Sequence, residues 1–316
     1  MRVAVTGGAG FIGANLCRRL LASDAVTDVV VIDDLSNGSR DNLVDLPVRF
    51  VEGTILDPAA LDEAFAGADS IVHLAALGSV PRSVADPIGT HAANATGTVM
   101  VLEAARRHGN IHTMMASSSS VYGSNPILPK HEDLATRPLS PYGSSKLAAE
   151  GSMLAWGASY DLPVLPFRFF NVFGPLQPAG HVYAAVIPSF VDAALRGEPV
   201  TIHGDGTQSR DFTSVMSVTS VLVDAVERRV TSDTPVNLAF GTRVTLLEAL
   251  TELEAVIGHP IERTHTEPRA GDVPHSQADT TRLRELFPDV RPVPFSAGLR
   301  ATVEWMRTLD APERAR

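Results

Sequence analysis

The feature that most constrains the fold is a glycine-rich turn near the N-terminus, between a short apolar run and a helical pattern. The segment RVAVTGGAGFIGANLCRRLLAS at 2–23 carries Gly7, Gly10 and Gly13 at three-residue spacing. Glycines allow a tight turn, let the backbone approach a phosphate closely, and let a helix pack close to a strand. The segment predicts a strand, a turn and a helix whose N-terminus faces a pyrophosphate.

A second apolar run, DVVVIDD at 28–34, predicts the next strand, which ends in Asp33. A carboxylate about 20 residues beyond such glycines accepts hydrogen bonds from the adenosine ribose hydroxyls and repels a 2'-phosphate. The glycine turn and Asp33 together predict a dinucleotide site that takes NAD in preference to NADP.

Strand-like and helix-like segments alternate through the first part of the chain. Further strands are predicted at VRFVEGTILD, SIVHLAALG, IHTMMASS and LPVLPFRFFNVFGP, with helices at 59–66, 91–108 and 141–157. Parallel β-α-β units follow, so the predicted fold class is α/β, a doubly wound parallel (Rossmann) sheet with a smaller α/β substrate-binding lobe. We expect the NAD-binding domain at 1–174, with about 213–242 returning to it, and the lobe mainly at 175–316.

Composition narrows the partners and the location. A net charge of -10 disfavours nucleic acid or an anionic membrane, because both select for clustered Lys and Arg. No apolar run approaches the roughly 20 residues needed to span a bilayer, and the N-terminus enters a strand at once instead of presenting a signal peptide. We therefore expect a cytoplasmic protein. The ten histidines have no metal-ligand spacing, so no metal is expected.

A possible catalytic pair lies in LSPYGSSKLAAE at 139–150. Ser140 can cap a helix, and Tyr142 and Lys146 then stand four residues apart on one helical face. A Lys ammonium near a phenol stabilises the phenolate and lowers its pKa from about 10 towards neutrality, which makes Tyr a usable base. Alone, this spacing is typical of an ordinary solvated helix. Here the predicted helix follows a strand that ends in four serines, 117–120. In parallel sheets, ligands bind at the carboxyl ends of the strands, so these serines are expected at the site.

With these motifs on hand, the chain resembles the extended short-chain dehydrogenase/reductases of the NAD-dependent epimerase/dehydratase family. Within that family it is most similar to the 4-epimerases of UDP-glucose and UDP-N-acetylglucosamine. The resemblance covers nearly the whole chain. Its further motifs are HLAALGSVPRS at 73–83, RFFNVFGP at 168–175, YAAVIP at 183–188, GDGTQSRDF at 204–212 and PRAGDVPHSQAD at 268–279.

The resemblance assigns roles to individual residues. The family's catalytic hydroxyl lies four residues before the Tyr of VYG, so the implied catalytic residues are Ser118, Tyr142 and Lys146, while Ser117, Ser119 and Ser120 are mainly packing or cofactor-side hydroxyls. The implied NAD site comprises Gly7, Gly10, Phe11, Ile12, Gly13, Asp33, Asn37, Thr54, Ile55, Leu74, Ala75, Ala76, Asn94, Tyr142, Lys146 and Phe170. The implied UDP-sugar site comprises Gly78, Ser79, Val80, Ser118, Ser119, Asn171, Ala185, Val186, Thr201, His203, Arg210, Arg269, Asp272 and Ser276.

The implied reaction is inversion of a UDP-hexose at C4. Tyr142 as phenolate takes the proton of the sugar 4-hydroxyl, directly or through Ser118, while the C4 hydride passes to NAD. The resulting 4-keto sugar turns and receives the hydride on its other face. The resemblance also implies a homodimer through the helices at 91–108 and 141–157.

Departures from the family pattern leave alternatives open. Thr54 stands where the family usually has an Asp that meets the adenine, and the segment 214–217 reads SVMS in place of Tyr-Val-Asp-Asp. Dehydratases carry Asp-Glu directly after the catalytic hydroxyl and decarboxylases carry a Glu nearby, whereas this chain has Ser119 and Ser120. A non-catalytic NAD-binding protein would be expected to have lost Tyr142 or Lys146.

The sugar itself is predicted from two further positions of the resemblance. A bulky Tyr four residues after the Asp of R-x-G-D excludes N-acetyl groups in these epimerases, and here that position is Ser276. UDP-uronate epimerases place basic residues where this chain has Leu176 and Pro178. We therefore expect an enzyme that accepts the N-acetylated UDP-hexosamines, with the unsubstituted UDP-hexoses as the other candidates.

Overall fold

The fold was analysed in a computed structural model that describes residues 1–179, 185–267 and 274–309. The predicted sites at Arg269 and Asp272 lie outside these residues. The strands are β1 (Arg2–Thr6), β2 (Asp28–Asp33), β3 (Arg49–Glu52), β4 (Ser70–His73), β5 (His112–Ser118), β6 (Val164–Phe169), β7 (Asn171–Phe173), β8 (Val200–His203), β9 (Ser209–Arg210), β10 (Phe212–Ser214), β11 (Val236–Leu238), β12 (Val244–Thr245) and β13 (Arg263–Thr266).

The helices alternate with these strands in the first half of the chain. They are α1 (Phe11–Leu21), α2 (Pro58–Phe65), α3 (Val80–Ala85), α4 (Pro87–His91), α5 (Gly97–Arg107), α6 (Pro141–Tyr160), α7 (Val186–Arg196), α8 (Val215–Arg228), α9 (Leu246–Ile257), α10 (Thr281–Leu286) and α11 (Phe295–Arg307). A π-helical turn at Ala92–Thr96 joins α4 to α5, and short 3-10 turns lie at Arg40–Leu43 and Ser119–Val121.

Seven strands form one parallel sheet in the order β11-β6-β5-β4-β1-β2-β3. The chain runs outward from β1 to β3, returns to β4 beside β1, and then continues in the other direction. The predicted doubly wound Rossmann sheet is thereby confirmed. The reversal between β1 and β4 leaves a crevice at the carboxyl ends of the strands, where ligands bind in open α/β sheets.

Both faces of the sheet are covered, which explains why β1 and β2 contain unbroken apolar runs, VAV in β1 and VVVI in β2. Helices α1 and α8 pack on one face through side chains such as Leu16 and Val218, and α2, α5 and α6 pack on the other through Leu61, Leu102 and Met153. These two apolar layers bury both faces of the sheet, so its exposed positions lie at the ends of the strands.

The smaller lobe has its own apolar core. Helices α7, α9 and α11 meet there through side chains that include Phe190, Leu250 and Val303, all buried. Three two-stranded ribbons border it, β7 with β10, β8 with β13, and β9 with β12.

The segment predicted as one strand, LPVLPFRFFNVFGP, is divided in the structure. Strand β6 ends at Phe169, and β7 begins at Asn171 and pairs with β10 outside the large sheet. Phe170 lies between them with its ring buried 6.3 Å from that of Tyr122. Burial of this ring accompanies the change of direction, which alternation of apolar residues does not reveal.

Candidate functional site

A cavity of about 420 Å³ lies at the carboxyl ends of the strands around the reversal point. It brings together twelve of the residues predicted for NAD, namely Gly7, Gly10, Phe11, Ile12, Gly13, Asp33, Asn37, Thr54, Ile55, Leu74, Ala75 and Ala76. Of the residues predicted for the sugar nucleotide, Gly78, Ser79 and Ala185 also line it.

The glycine turn needs its glycines for steric reasons. Gly7 has φ +71°, and a Cβ there would stand 2.7 Å from the Ala75 nitrogen. A Cβ on Gly13 would stand 2.2 Å from the Gly7 carbonyl oxygen. Side chains at these positions would push helix α1 away from the strands, so the turn keeps the helix N-terminus at the cavity.

Asp33 ends strand β2 at the cavity wall and is only 8% exposed. Its carboxylate accepts hydrogen bonds from the backbone nitrogens of Ala9, at 2.9 Å, and Leu35, at 2.8 Å. Burial raises the pKa of Asp33, and these two hydrogen bonds oppose the rise. A fixed carboxylate, a helix N-terminus and a side-chain-free turn in one cavity are the groups that a dinucleotide requires, so the residues present fit NAD.

Tyr142 and Lys146 lie on the first turns of α6, beside the end of β5. The Lys146 ammonium donates to the Ala116 carbonyl at 3.0 Å, and Ala116 lines the cavity. Burial lowers the pKa of Lys146 to about 8. The Ser118 side chain neighbours the Tyr142 phenol and favours its ionised form, which lowers the phenol pKa.

The expected lowering of the Tyr142 pKa is not found in the protein by itself. Burial raises the pKa of this phenol, and the hydrogen bond with Ser118 opposes the rise only in part. The Lys146 ammonium is directed to a backbone carbonyl, and burial lowers its own pKa.

The four serines differ in what they contact. Ser117 donates to the Glu150 carboxylate at 2.7 Å. Ser118 ends β5, and its hydroxyl accepts from the Ser120 nitrogen at 3.1 Å. Ser119 and Ser120 open the 3-10 turn that follows the strand. Ser118 is therefore the serine that reaches Tyr142, and Ser117 points into the protein interior.

Asn94, Phe170 and Val80 are among the predicted residues that do not line the cavity. Asn94, 1% exposed, lies in the π-helical turn, where its amide bonds both backbone groups of Leu77, at 2.8 and 3.1 Å, and the Ser145 hydroxyl at 3.0 Å. Phe170 is buried against Tyr122. Val80 begins α3 and is 42% exposed. Asn94 therefore acts on the cavity wall through the backbone of Leu77.

The predicted sugar residues of the second lobe fall into separate groups. Arg210 and Ser276 lie close together at β9. The Arg210 guanidinium donates to the backbone carbonyls of Ser209 and Pro274, at 3.0 and 3.2 Å. The Ser276 backbone nitrogen donates to the same Ser209 carbonyl at 3.0 Å. Asn171 begins β7 and Val186 begins α7. Thr201 and His203 lie on β8, where they contact Thr264 at 3.5 Å and Thr266 at 2.8 Å on β13.

Sequence reasoning missed several residues of the cavity wall. Two of them are Arg82, which donates to the Asn37 amide oxygen at 2.6 Å, and Gln177. Arg82 falls in the HLAALGSVPRS motif, and Gln177 lies between Leu176 and Pro178, two positions that the resemblance placed at the sugar, so both had an available signal. The others include Asp34, Ser36, Gly38, Leu77 and Pro178.

The SVMS departure has a structural account. The Ser214 hydroxyl caps α8 by accepting from the Met216 nitrogen at 3.3 Å, and the Ser217 hydroxyl accepts from the Val293 nitrogen at 2.8 Å. Val215 is fully buried.

Neither a metal-binding cluster nor a membrane-spanning helix is found within 1–179, 185–267 and 274–309. No group of three or more His, Cys, Asp or Glu side chains in these ranges is arranged to hold a metal ion. Likewise, no helix in them combines the length and the apolar character needed to cross a membrane.

A Rossmann sheet with a dinucleotide cavity, and with Tyr, Lys and Ser side chains beside it, defines a class of NAD-binding proteins. Comparison with known proteins narrows the class. The sequence profile described as the NAD dependent epimerase/dehydratase family matches residues 3–239. UDP-glucose 4-epimerase of Mycolicibacterium smegmatis is 37% identical over 316 residues, which cover 97% of this chain and 99% of that protein.

Solved structures agree. UDP-N-acetylglucosamine 4-epimerase from Methanobrevibacter ruminantium, in complex with UDP-N-acetylmuramic acid, matches with a TM-score of 0.91 at 34% identity, covering 97% of this chain and 98% of that one. UDP-glucose 4-epimerase from Thermus thermophilus, in complex with NAD, matches with a TM-score of 0.87 at 34% identity, covering 97% and 99%. The chain belongs to the NAD-dependent epimerase/dehydratase family. It is an enzyme of that family with NAD as cofactor, and the resemblance found in the sequence is confirmed.

Proposed function

We propose that this protein is a UDP-hexose 4-epimerase, which inverts C4 of the sugar through a 4-keto intermediate. The observation that carries the proposal is the meeting of the Tyr142 phenol with the Ser118 hydroxyl, beside Lys146 and the cavity wall. Serines follow Ser118 where dehydratases have acids. The 4-epimerases among its relatives, which are similar over nearly their whole length, support the same activity.

In this proposal Tyr142 removes and returns the proton of the sugar 4-hydroxyl. Ser118 holds that hydroxyl against the phenol, and its hydrogen bond favours the phenolate. Lys146 keeps a positive charge near the phenol at pH 7, because its pKa of about 8 lies above that pH. NAD bound at the glycine turn and Asp33 would supply a hydride acceptor for C4 and a positively charged ring that would favour the phenolate.

The cofactor and the sugar nucleotide would occupy neighbouring regions. We assign the glycine turn to the NAD pyrophosphate and Asp33 to the adenosine ribose. Arg210 would supply a cation to the UDP diphosphate. The roles predicted for Arg269 and Asp272 stay predictions.

For the sugar, we propose the pair UDP-N-acetylglucosamine and UDP-N-acetylgalactosamine, alongside or ahead of UDP-glucose and UDP-galactose. Ser276 is small and partly buried, and its backbone is fixed to β9 next to Arg210. A small side chain beside the diphosphate cation leaves room for a C2 acetamido group.

The competing activities are a dehydratase, a decarboxylase, a UDP-uronate epimerase and a non-catalytic NAD-binding protein. A dehydratase or decarboxylase would need an acidic side chain where this chain has Ser119 and Ser120. A UDP-uronate epimerase would need a basic side chain near Leu176 and Pro178, which are both uncharged. The fourth is disfavoured because Tyr142 and Lys146 are both present.

We also propose the division into an NAD domain at 1–174, which includes about 213–242, and a sugar lobe at 175–316. The place of β11 beside β6 supports it. For the homodimer, the exposed apolar side chains Val84 and Ile88, 66% and 81% exposed, lie beside the helices proposed for the interface. A cytoplasmic location stays a prediction of the sequence.

The test is incubation of the purified protein with UDP-glucose, UDP-N-acetylglucosamine, UDP-glucuronic acid and dTDP-glucose, without added reductant. The expected product is the C4 epimer of the first two, with no net NADH. A 4-keto-6-deoxy product, epimerisation of UDP-glucuronic acid alone, or no turnover on any sugar would overturn the proposal.

A further inference from the structure

A buried ion pair, Glu150 with Arg168, lies behind the residues proposed for catalysis. The two side chains are 3% and 4% exposed, and the guanidinium donates to the carboxylate twice, at 2.7 and 3.0 Å. Desolvation of two ions can cost as much free energy as their attraction gains, so a buried pair is weak support for stability. The place of this ion pair in the fold points instead to a role in positioning the helix that carries Tyr142 and Lys146.

Glu150 lies on the same face of α6 as the catalytic pair. It follows Lys146 by four residues and Tyr142 by eight, so the three side chains stand one above another on successive turns. Three successive residues at the end of β5, 116–118, meet them. The contacts are Tyr142 with the Ser118 hydroxyl, Lys146 with the Ala116 carbonyl, and Glu150 with the Ser117 hydroxyl.

Arg168 extends this contact to the next strand and to the turn after the serines. It pairs with Ser117 in the register of β5 and β6. Its guanidinium donates to the Glu132 carbonyl at 3.0 Å and lies 4.8 Å over the Tyr122 ring, whose hydroxyl donates to Asn237 at 2.7 Å. Each donor of this network ends on a buried acceptor, which is the condition for a polar network to fix one geometry.

We propose that Ser117 and Glu150 are positioning residues for Tyr142 and Ser118. The Ser117–Glu150 hydrogen bond, held by Arg168, sets how far along β5 the helix α6 lies, and so sets the contact between the Tyr142 phenol and the Ser118 hydroxyl. The inference rests on the proposed function. Ser117, the first serine of the run, would then act by positioning other residues and would not contact the substrate.

The test is Ser117→Ala, which removes one hydroxyl and leaves Glu150 paired with Arg168. Small displacements of catalytic groups cost up to about 10²-fold in rate, so we expect kcat to fall by about tenfold or more. KM for the UDP-sugar and the amount of bound NAD should stay within about twofold. The pKa of the Tyr142 phenol should rise, because the hydrogen bond from Ser118 would weaken. Tyrosinate absorbance, with Tyr142→Phe as the reference, measures this without turnover.

The matched control is Thr113→Val, which removes a buried hydroxyl from the same strand, where it donates to the Ile111 carbonyl at 2.8 Å. It should keep wild-type kcat and the wild-type phenol titration. Ser117→Cys, whose thiol is a weak donor, replaces the alanine variant if that variant does not fold, with the same expected direction.

The proposal is overturned if Ser117→Ala keeps wild-type kcat, if it changes only KM or NAD content, or if its phenol titrates as in the wild type. An inactive wild-type protein would instead contradict the proposed function. The phenol titration would still test the link between Ser117 and Tyr142 in that case.

Discussion

The Lys146 ammonium donates a hydrogen bond of 3.0 Å to the Ala116 carbonyl oxygen, and Ala116 forms part of the cavity wall. This contact ties the first turns of α6 to the end of β5 at the cavity edge. Tyr142, one turn earlier, is thereby held against Ser118. The arrangement brings the phenol proposed as the proton acceptor to the edge of the dinucleotide cavity.

Tyr142→Phe should remove the base and leave the fold and the NAD site intact. We expect turnover to fall by about 10²–10⁴, the usual contribution of a positioned acid-base group. The measurement is the rate of C4 inversion, with bound NAD quantified in the same sample. Tyr160→Phe, at the exposed end of the same helix, is the matched control and should keep wild-type turnover. Near-normal turnover in Tyr142→Phe would refute the assignment.

Asp33→Ser should reduce the preference for NAD over NADP, because the carboxylate that bonds the ribose and repels a 2'-phosphate is lost. Binding of the two cofactors to stripped protein measures the ratio. Burial raises the pKa of Asp33, so NAD affinity should also weaken as pH falls, sooner than for an ordinary aspartate. Exposed Asp45→Asn is the control. An unchanged ratio in Asp33→Ser would show that another group sets the preference.

His73 should make the protein sensitive to acid. It is buried between the hydroxyls of Thr6, at 2.7 Å, and Thr98, at 3.0 Å, and burial lowers its pKa to about 3. The unfolded chain, with a His pKa near 6.5, binds one more proton between these values, so stability falls with pH below about 6.5 and is unaffected above it. The loss amounts to about 2 kcal/mol by pH 5.

Unfolding free energies at pH 7.5 and pH 5 measure this contribution. His73→Gln should be less stable than the wild type at pH 7.5 and should lose less stability on going to pH 5. Exposed His91→Gln should keep the wild-type pH dependence. Equal pH dependence in His73→Gln and the wild type would contradict the account.

Ser276→Tyr should selectively abolish activity on the N-acetylated sugars, because a bulky ring would fill the space left for the acetamido group. Ser276→Ala keeps that space and should keep both activities. The ratio of kcat/KM for UDP-N-acetylglucosamine to that for UDP-glucose is the measurement. Equal losses on both substrates, or a wild-type protein without activity on the N-acetylated pair, would refute the pocket assignment.

Local patterns predicted the sheet, the glycine turn and Asp33, and the resemblance to the family supplied most of the other residues that line the cavity. The spacing of residues within a motif does not show which of its side chains face the cavity, so Arg82 and Gln177 were not predicted there. In the protein without NAD, burial raises the pKa of Tyr142, whereas the spacing to Lys146 predicted a lowered pKa. Spacing shows that Lys146 is near, but the cost of burial and the direction of the ammonium towards Ala116 appear only in three dimensions.

The central claim is that the hydride leaves C4 and returns to C4. The most direct test is turnover of UDP-N-acetylglucosamine and UDP-glucose deuterated at C4, in ordinary water, with the products read by NMR and mass spectrometry. The account predicts C4 epimers that keep the deuterium at C4. Deuterium found at C6 with loss of water, or exchanged into solvent, would contradict it.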